Sequence, residues 1–491
     1  MQTNTKETKP QFYTAGLLLA LTLLMAIRLL PMLKAPISAY GYDFGFYLSA
    51  AKTAAWHFKD LGQSLWGGYN SPWFVLANLI HLPASVSLVG SYFFMAVFSG
   101  WSIYYLMLGY DKLTGIFAVS LVALSQIQME SYFMFLWKNA MALPFLFLGF
   151  TLLENAVNET NNKNQTLPEQ QKSDKSSISS LTGFGFLRKK NWWGFASSSL
   201  LILLLHRTTA IIYFLTLGLY LIWAQIKSKS YKTLIAIILG ACLLLAACYL
   251  LFPIKSIISN LINNNNYYVS TGLFLQGQDL FSLWWPTAFL ALAGLIIYLK
   301  RKQQPLLPIF TGLCLVWLAF KLPFYRRILI YLDLAVICFA AYFLGQINYA
   351  RKGMKIALCI IFIFLIYRQV TFILAKTPLI YQPEIAEIQN FNQPPGFLLA
   401  VSADDAPWLL AYSKNQRLGA PGLLEDPHTY NEWQDFWQGQ NQRQFLSYYP
   451  RPLYFYERSW RLPQVGTALC LIPISPNFFQ MDYKCLEKTS Q

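Results

Sequence analysis

Charge is what this chain has least of. Of its 491 residues only 12% are Asp, Glu, Lys or Arg, and the acids number just 22. That share is about half of what water-soluble domains carry, and it excludes an ordinary soluble globule. Histidine occurs four times. No Cys and His spacing resembles a zinc site, which argues against a zinc centre. Cysteine is sparse too, at seven. Five of these (Cys242, Cys248, Cys314, Cys338, Cys359) lie in apolar runs and read as packing residues. Cys470 and Cys485 stand apart in the tail, where they can pair if the tail lies outside the cytoplasm.

What the chain has in excess is apolar surface. Hydrophobic residues make up 55% and aromatics 17%, with a mean hydropathy of +0.38. Apolar runs near the length a helix needs to cross a bilayer recur along the chain. They predict an α-helical polytopic membrane protein with about 11 spans, at 13–33, 88–109, 113–128, 140–153, 193–205, 208–226, 233–252, 283–299, 306–320, 328–345 and 356–375. The first run is too long for a signal-peptide core and no small-residue cleavage site follows it, so it reads as a retained span. The net charge of +16 does not point to nucleic acid. The basic residues are scattered over short loops rather than gathered in one stripe.

Those loops set the expected orientation. Lys163, Lys172, Lys175 and Arg188 to Lys190, then Lys227 to Lys232, Lys300 to Lys302, and Arg351 to Lys355 fall on alternate sides of the predicted spans. By the positive-inside rule that side is cytoplasmic. The linker 155–191, rich in Asn, Gln, Ser and Lys, is then a disordered cytoplasmic segment. The loop 34–87 is external, and its stretch 46–58 reads as an amphipathic helix in the interface. Residues 1–375 form the membrane domain. From 376 to 491 prolines and charges return, and an extracytoplasmic α/β domain is expected, with strands at 397–401, 453–456 and 469–472 and helices at 407–413 and 430–438.

The same topology collects the unusual polar residues on the outer face. Asp43 sits in Tyr40-Gly41-Tyr42-Asp43-Phe44-Gly45-Phe46-Tyr47. An acid among aromatics at a bilayer edge is a site candidate; an Asp just ahead of a helix is also a common N-cap. Glu130 and Lys138 fall in the next external loop, His206 and Arg207 at an external turn, and Arg326 and Arg327 in another. External arginines run against the charge bias, and their planar forks match phosphate oxygens. Arg28, near the outer end of the first span, and Lys34 can reach outer-leaflet headgroups by snorkelling; for Arg28 that reading is preferred over a grip on a lipid-linked phosphate. Among the first-loop aromatics, Tyr42, Trp66 and Tyr69 are candidates to stack on a sugar, although most such rings belong to the interfacial belt.

Together these residues suit transfer of a sugar from a polyprenyl phosphate. A carboxylate such as Asp43 takes the proton of the acceptor hydroxyl. Arg326, Arg327, Arg207, His206 and Lys138 are the candidates to stabilise the departing phosphate. Asp43 and Glu130 offer oxygen ligands that suit Mg or Mn. The acceptor on this reading is a glycan, lipid or protein of the cell envelope, and the membrane is the plasma (inner) membrane.

This pattern resembles the GT-C superfamily of polytopic glycosyltransferases. The likeness rests on Asp43 early in a long first external loop, Glu130 in the second, the late pair Arg326-Arg327, and an external C-terminal domain. The stretches Asp43 to Leu48 with Ala50-Ala51-Lys52, and Ala406 to Ser413 with Ala420-Pro421-Gly422, look like uncharacterised bacterial members related to protein mannosyltransferases and aminoarabinose transferases. The resemblance implies Asp43 as catalytic base. The Asp-Glu pair of protein mannosyltransferases is absent, since Phe44 follows Asp43. The Trp-Trp-Asp signature of oligosaccharyltransferases is absent too, since Pro286 follows Trp284-Trp285. A different class of function fits part of the pattern: a transporter or flippase of lipid-linked sugars that grips phosphate without chemistry. No internal repeat of the transporter kind is evident.

Overall fold

A computed structural model describes residues 10–54, 71–165, 190–228, 277–301, 303–322, 325–347, 352–414, 416–421, 426–458 and 470–488. The predicted span at 233–252 lies outside these residues, as do Trp66, Tyr69, Cys242 and Cys248.

Helix α1 (Pro10–Leu29) is almost wholly apolar and runs on through a 3-10 turn to Leu33. The first loop carries α2 (Phe44–Thr53) and α3 (Pro72–Leu79). Ser71 opens α3 by accepting the Trp73 N–H, and Pro72 presets its first turn. Helix α4 (Ala84–Leu108) is a long apolar rod. Asp111 then caps α5 (Lys112–Leu124) by accepting the N–H groups of Leu113 and Thr114. Ser125 breaks this path. Its backbone is extended and its hydroxyl caps α6 (Gln126–Phe133), which departs from α5 by 50°. Next come α7 (Trp137–Gln165), α8 (Lys190–Leu205), α9 (Arg207–Ser228), α10 (Gly277–Lys300), α11 (Leu306–Ala319), α12 (Ile328–Gly345) and α13 (Lys352–Ala375).

Among the described residues five helices are long and apolar enough to cross a membrane, or six if α5 and α6 count as one bent span. Eleven is therefore an overcount. Apolar runs register as spans whether or not the helix has membrane length. The stretches within α8, α9 and α11 form apolar helices of only 10–17 residues. The run at 140–153 belongs to a helix that begins at Trp137-Lys138-Asn139 and continues to Gln165, through residues expected to be disordered linker. Membrane character is nonetheless clear on α13. It buries only Leu365, Gln369 and Ile373, while Ile363 and Tyr367 are 66% and 67% exposed. A face this apolar is wrong for water and right for lipid.

The tail forms a five-stranded sheet beyond α14 (Gln382–Asn390). Chain order is β1 (Gly396–Ala400), α15 (Ala406–Tyr412), β2 (Gln416–Gly419), α16 (Tyr430–Trp437), α17 (Gln442–Ser447), β3 (Leu453–Tyr456), β4 (Leu471–Pro473), β5 (Phe478–Met481) and α18 (Tyr483–Lys488). The spatial order is β2-β1-β3-β5-β4; the first three strands are parallel and β5 and β4 run antiparallel. Thr429 and Glu432 form a capping box at the start of α16. Cys470 and Cys485 are joined in a disulfide, which fits a domain outside the cytoplasm. Arg458 ties the end of β3 to the Asp405 carboxylate at 2.5 Å, and to Glu384 and the Leu379 carbonyl.

Two cores matter for the site. One fills the helical bundle around α5, α7, α9 and α12. The other joins distant parts of the chain: Phe44 and Tyr47 from the first loop, Phe135 and Trp137 from the α6–α7 turn, and Trp408 and Tyr456 from the sheet domain. Full burial of each such ring stabilises the assembly by roughly 1.5–3 kcal/mol. The first loop and the tail domain therefore lie on the same side. Helix α2 is not a free interfacial helix as expected; it buries Phe44, Gly45, Tyr47, Leu48 and Ala51.

Candidate functional site

Asp43 occupies the N-cap position of α2, yet its side chain makes no capping bond there. Its backbone is αR, and its N–H donates to the Met134 carbonyl, which anchors it to the α6–α7 turn. The carboxylate is only 4% exposed. Burial pushes its pKa up to about 6, and the nearby Arg327 guanidinium partly opposes that rise. A capping role is thus set aside by geometry, and a buried, Arg-facing carboxylate remains.

Arg327 arrives at the start of α12, after the 3-10 turn Tyr325–Arg327. It acts electrostatically on Asp43, Tyr47 and Tyr331. Its neighbour Arg326 lies over the Tyr325 ring, 5.9 Å from the centroid, and no interaction ties it to Asp43. The structure separates the two arginines that the sequence treats as a pair.

Tyr47, one turn along α2, is buried, and the Lys138 backbone N–H bonds its hydroxyl. Lys138 thus joins the site through its backbone. Tyr331 links Arg327 to the His206 turn. Its hydroxyl lies 2.6 Å from Thr209 Oγ1 and accepts from Asn139 Nδ2 at 3.1 Å. His206 Nδ1 accepts the Thr209 backbone N–H and sits 2.7 Å from its hydroxyl. That contact makes Nδ1 the acceptor nitrogen and caps α9. Arg207 begins α9; its side chain lies outside the description, as do Trp66 and Tyr69 altogether.

The tail domain supplies one wall. Tyr42 donates to the Ala403 carbonyl at 3.0 Å, and Lys52 to the Ala411 carbonyl at 2.6 Å. Burial, then Asp404, Asp43 and Asp405, raise the Tyr42 phenol well above its usual range.

Glu130 does not meet Asp43. Its carboxylate pairs with Lys376 at 2.6 Å. Among the described residues no group of three or more His, Cys, Asp or Glu converges. Two separated carboxylates, one committed to a lysine, do not fit the oxygen shell that Mg or Mn needs. Arg28 also departs from expectation. It does not snorkel; it is buried, with its Nη1 on Met129 Sδ.

Sequence reasoning passed over Tyr47, Asn139, Thr209, Tyr331 and, above all, Asp333. Asp333 lies in α12, 1% exposed. It accepts from Ser125 Oγ, Gln128 Nε2 and Trp284 Nε1 at 2.7, 2.9 and 2.8 Å. An acid within an apolar run is itself the signal that finds it.

No protein-family model matches this chain, and no curated protein matches it. What the structure shows is a multi-helix protein with several apolar helices of membrane length and a small C-terminal α/β sheet domain.

Proposed function

We propose that this protein is an integral-membrane glycosyltransferase that moves a sugar from a polyprenyl-phosphate donor to an acceptor hydroxyl outside the cytoplasm. The observation that carries the reading is Asp43: a buried carboxylate, free of capping duty, within electrostatic reach of Arg327. With a pKa near 6, Asp43 is ionised at neutral pH and basic enough to accept a proton in the transition state. The bond from the sugar's anomeric carbon to the phosphate oxygen breaks as the bond to the acceptor oxygen forms. The electron pair leaves with the phosphate, and the acceptor proton goes to Asp43. Arg327 offsets the charge that develops on the phosphate. Tyr47 and Tyr331 lie within electrostatic reach of Arg327, and Tyr331 is tied through Thr209 to His206. The expected setting is the plasma membrane, with the tail domain and first loop outside.

The test is a comparison of cell-envelope glycans with and without the protein, complemented by wild type, Asp43→Asn and Arg327→Gln. A glycan that disappears on deletion and returns only with wild type supports transfer. An envelope unchanged by deletion, or fully restored by Asp43→Asn, overturns it.

A second reading, transport of a lipid-linked sugar without chemistry, draws on Arg28 and Asp333, two ionisable side chains buried in membrane-length helices. Sugar translocation that persists in Asp43→Asn vesicles while no glycosidic product forms in wild type favours that reading.

A further inference from the structure

Within the helical bundle lies a cavity of about 50 Å³ whose wall is mostly apolar, with Arg28, Tyr92, Ser99, Gln128, Ser131 and Tyr132 as its polar lining. Arg28 is one residue from the end of α1 and 5% exposed. Among the described residues its guanidinium meets the Met129 thioether at 2.8 Å and the Tyr132 ring at 5.4 Å. Neither is a strong acceptor for its five N–H donors. Asp333 acts on it electrostatically, but the Asp333 oxygens are taken by Ser125, Gln128 and Trp284. No ion pair of Arg28 exists among the described residues. The Tyr132 hydroxyl is also buried without a hydrogen-bond partner there. A guanidinium answered only by a thioether and a ring, and a hydroxyl with no partner among the described residues, thus line one cavity from different helices, at a desolvation cost that a ligand rich in acceptors offsets.

We infer that this cavity binds the phosphate group of a lipid. An oxyanion supplies acceptors only, which is what the Arg28 fork and the Tyr132 hydroxyl require. The space suits roughly three or four water-sized groups, comparable to the free oxygens of a phosphate ester. The source is a lipid because the outer faces of α1 and α4 next to the lining residues are bare and apolar: Leu29 follows Arg28, Phe94 falls between Tyr92 and Ala96, and both are exposed, as is Leu33. A hydrocarbon tail lies against such a face; an inorganic ion gains nothing from it. Tyr92 is within electrostatic reach of both Arg28 and Asp43. Gln128, Ser131 and Tyr132 of the lining belong to α6, and Met134 just past its end accepts the Asp43 N–H, so one short stretch of chain serves both places. The inference concerns binding and stands without sugar transfer; where transfer also holds, the departing lipid phosphate comes to rest here.

The test uses full-length protein in uncharged detergent, probed with a long-chain polyprenyl monophosphate, phosphatidylglycerol and inorganic phosphate, with binding read by native mass spectrometry. Wild type should retain the phosphate-bearing lipids. Arg28→Gln should weaken them about tenfold or more, and Tyr132→Phe about fivefold. Tyr132→Phe removes a hydroxyl with no internal partner, so it tests the site even if Arg28→Gln does not fold. Equal lipid retention by wild type and Tyr132→Phe, or by wild type and a folded Arg28→Gln, overturns the site. Inorganic phosphate binding as tightly as the lipids overturns the lipid assignment.

Discussion

Gly45 of the first loop abuts the carbonyl of Pro407 in the tail domain: a Cβ built on Gly45 would lie 2.0 Å from that oxygen. No side chain fits there without separating α2 from α15. Gly45→Val should therefore undock the tail domain from the first loop, at a cost of about 3 kcal/mol or more. Limited proteolysis reads this directly, as faster cleavage around 376–395 in the variant. A protease pattern identical to wild type would mean that the two segments do not seat on one another.

The Asp43 carboxyl, raised from 3.8 to about 6 by burial, makes a signed prediction. The unfolded chain releases this proton near pH 4 and the folded protein holds it to about 6. Through that window the folded state binds more protons, so stability falls as pH rises, and the loss is complete above about pH 6. Asp43→Asn escapes the penalty. It should be more stable than wild type by up to about 3 kcal/mol at pH 7.5 and no different near pH 4. Thermal unfolding at the two pH values decides it; an equal difference at both would remove the ionisation from the explanation. Transfer by wild type should rise with pH through about 6 as the base ionises.

Asp333 gathers three donors: the hydroxyl of Ser125 at the α5–α6 break, Gln128 of α6 and Trp284 of α10. Asp333→Leu orphans Ser125 and Trp284, while Gln128 keeps the Ile330 carbonyl, and should cost about 3 kcal/mol or more, whereas Asp333→Asn keeps an acceptor and should cost about 1 kcal/mol. The two variants are compared by thermal unfolding in detergent. Similar losses in both would mean that volume rather than hydrogen bonding holds the break.

The disulfide closes a loop of 15 residues between Cys470 and Cys485. Replacing both cysteines by serine should destabilise the tail domain by about 3 kcal/mol. The readout is its unfolding in the full-length protein, with and without reductant. Reductant should shift wild type and leave the double variant where it is.

The apolar runs announced the helical bundle, and the strand runs at Phe397 and Leu453 lie where β1 and β3 form. Span counting failed because hydropathy records composition, not whether a helix is long enough to cross, as in α8, α9 and α11. At the site, Asp43 and Arg327 were legible because each is a charge that its surroundings penalise. Arg326 is equally conspicuous in sequence; only the 3-10 turn distinguishes it from its neighbour. Glu130 was misjudged because its partner, Lys376, is 246 positions away. Asp333 escaped notice because one acid barely changes the hydropathy of the run around it. Tyr47 and Tyr331 were hidden among 30 tyrosines, where sequence offers no way to tell a polar anchor from a packing ring.

The seating of Pro407 on Gly45 carries a consequence for biogenesis. Residue 45 leaves the ribosome some 360 residues ahead of its partner. Every membrane helix is threaded while the loop bearing Asp43 still lacks its cover. The packing over that loop is completed late, by a module that carries its own disulfide. A chain truncated before that module would leave Phe44 and Tyr47 without the Trp408 and Tyr456 rings of their shared core.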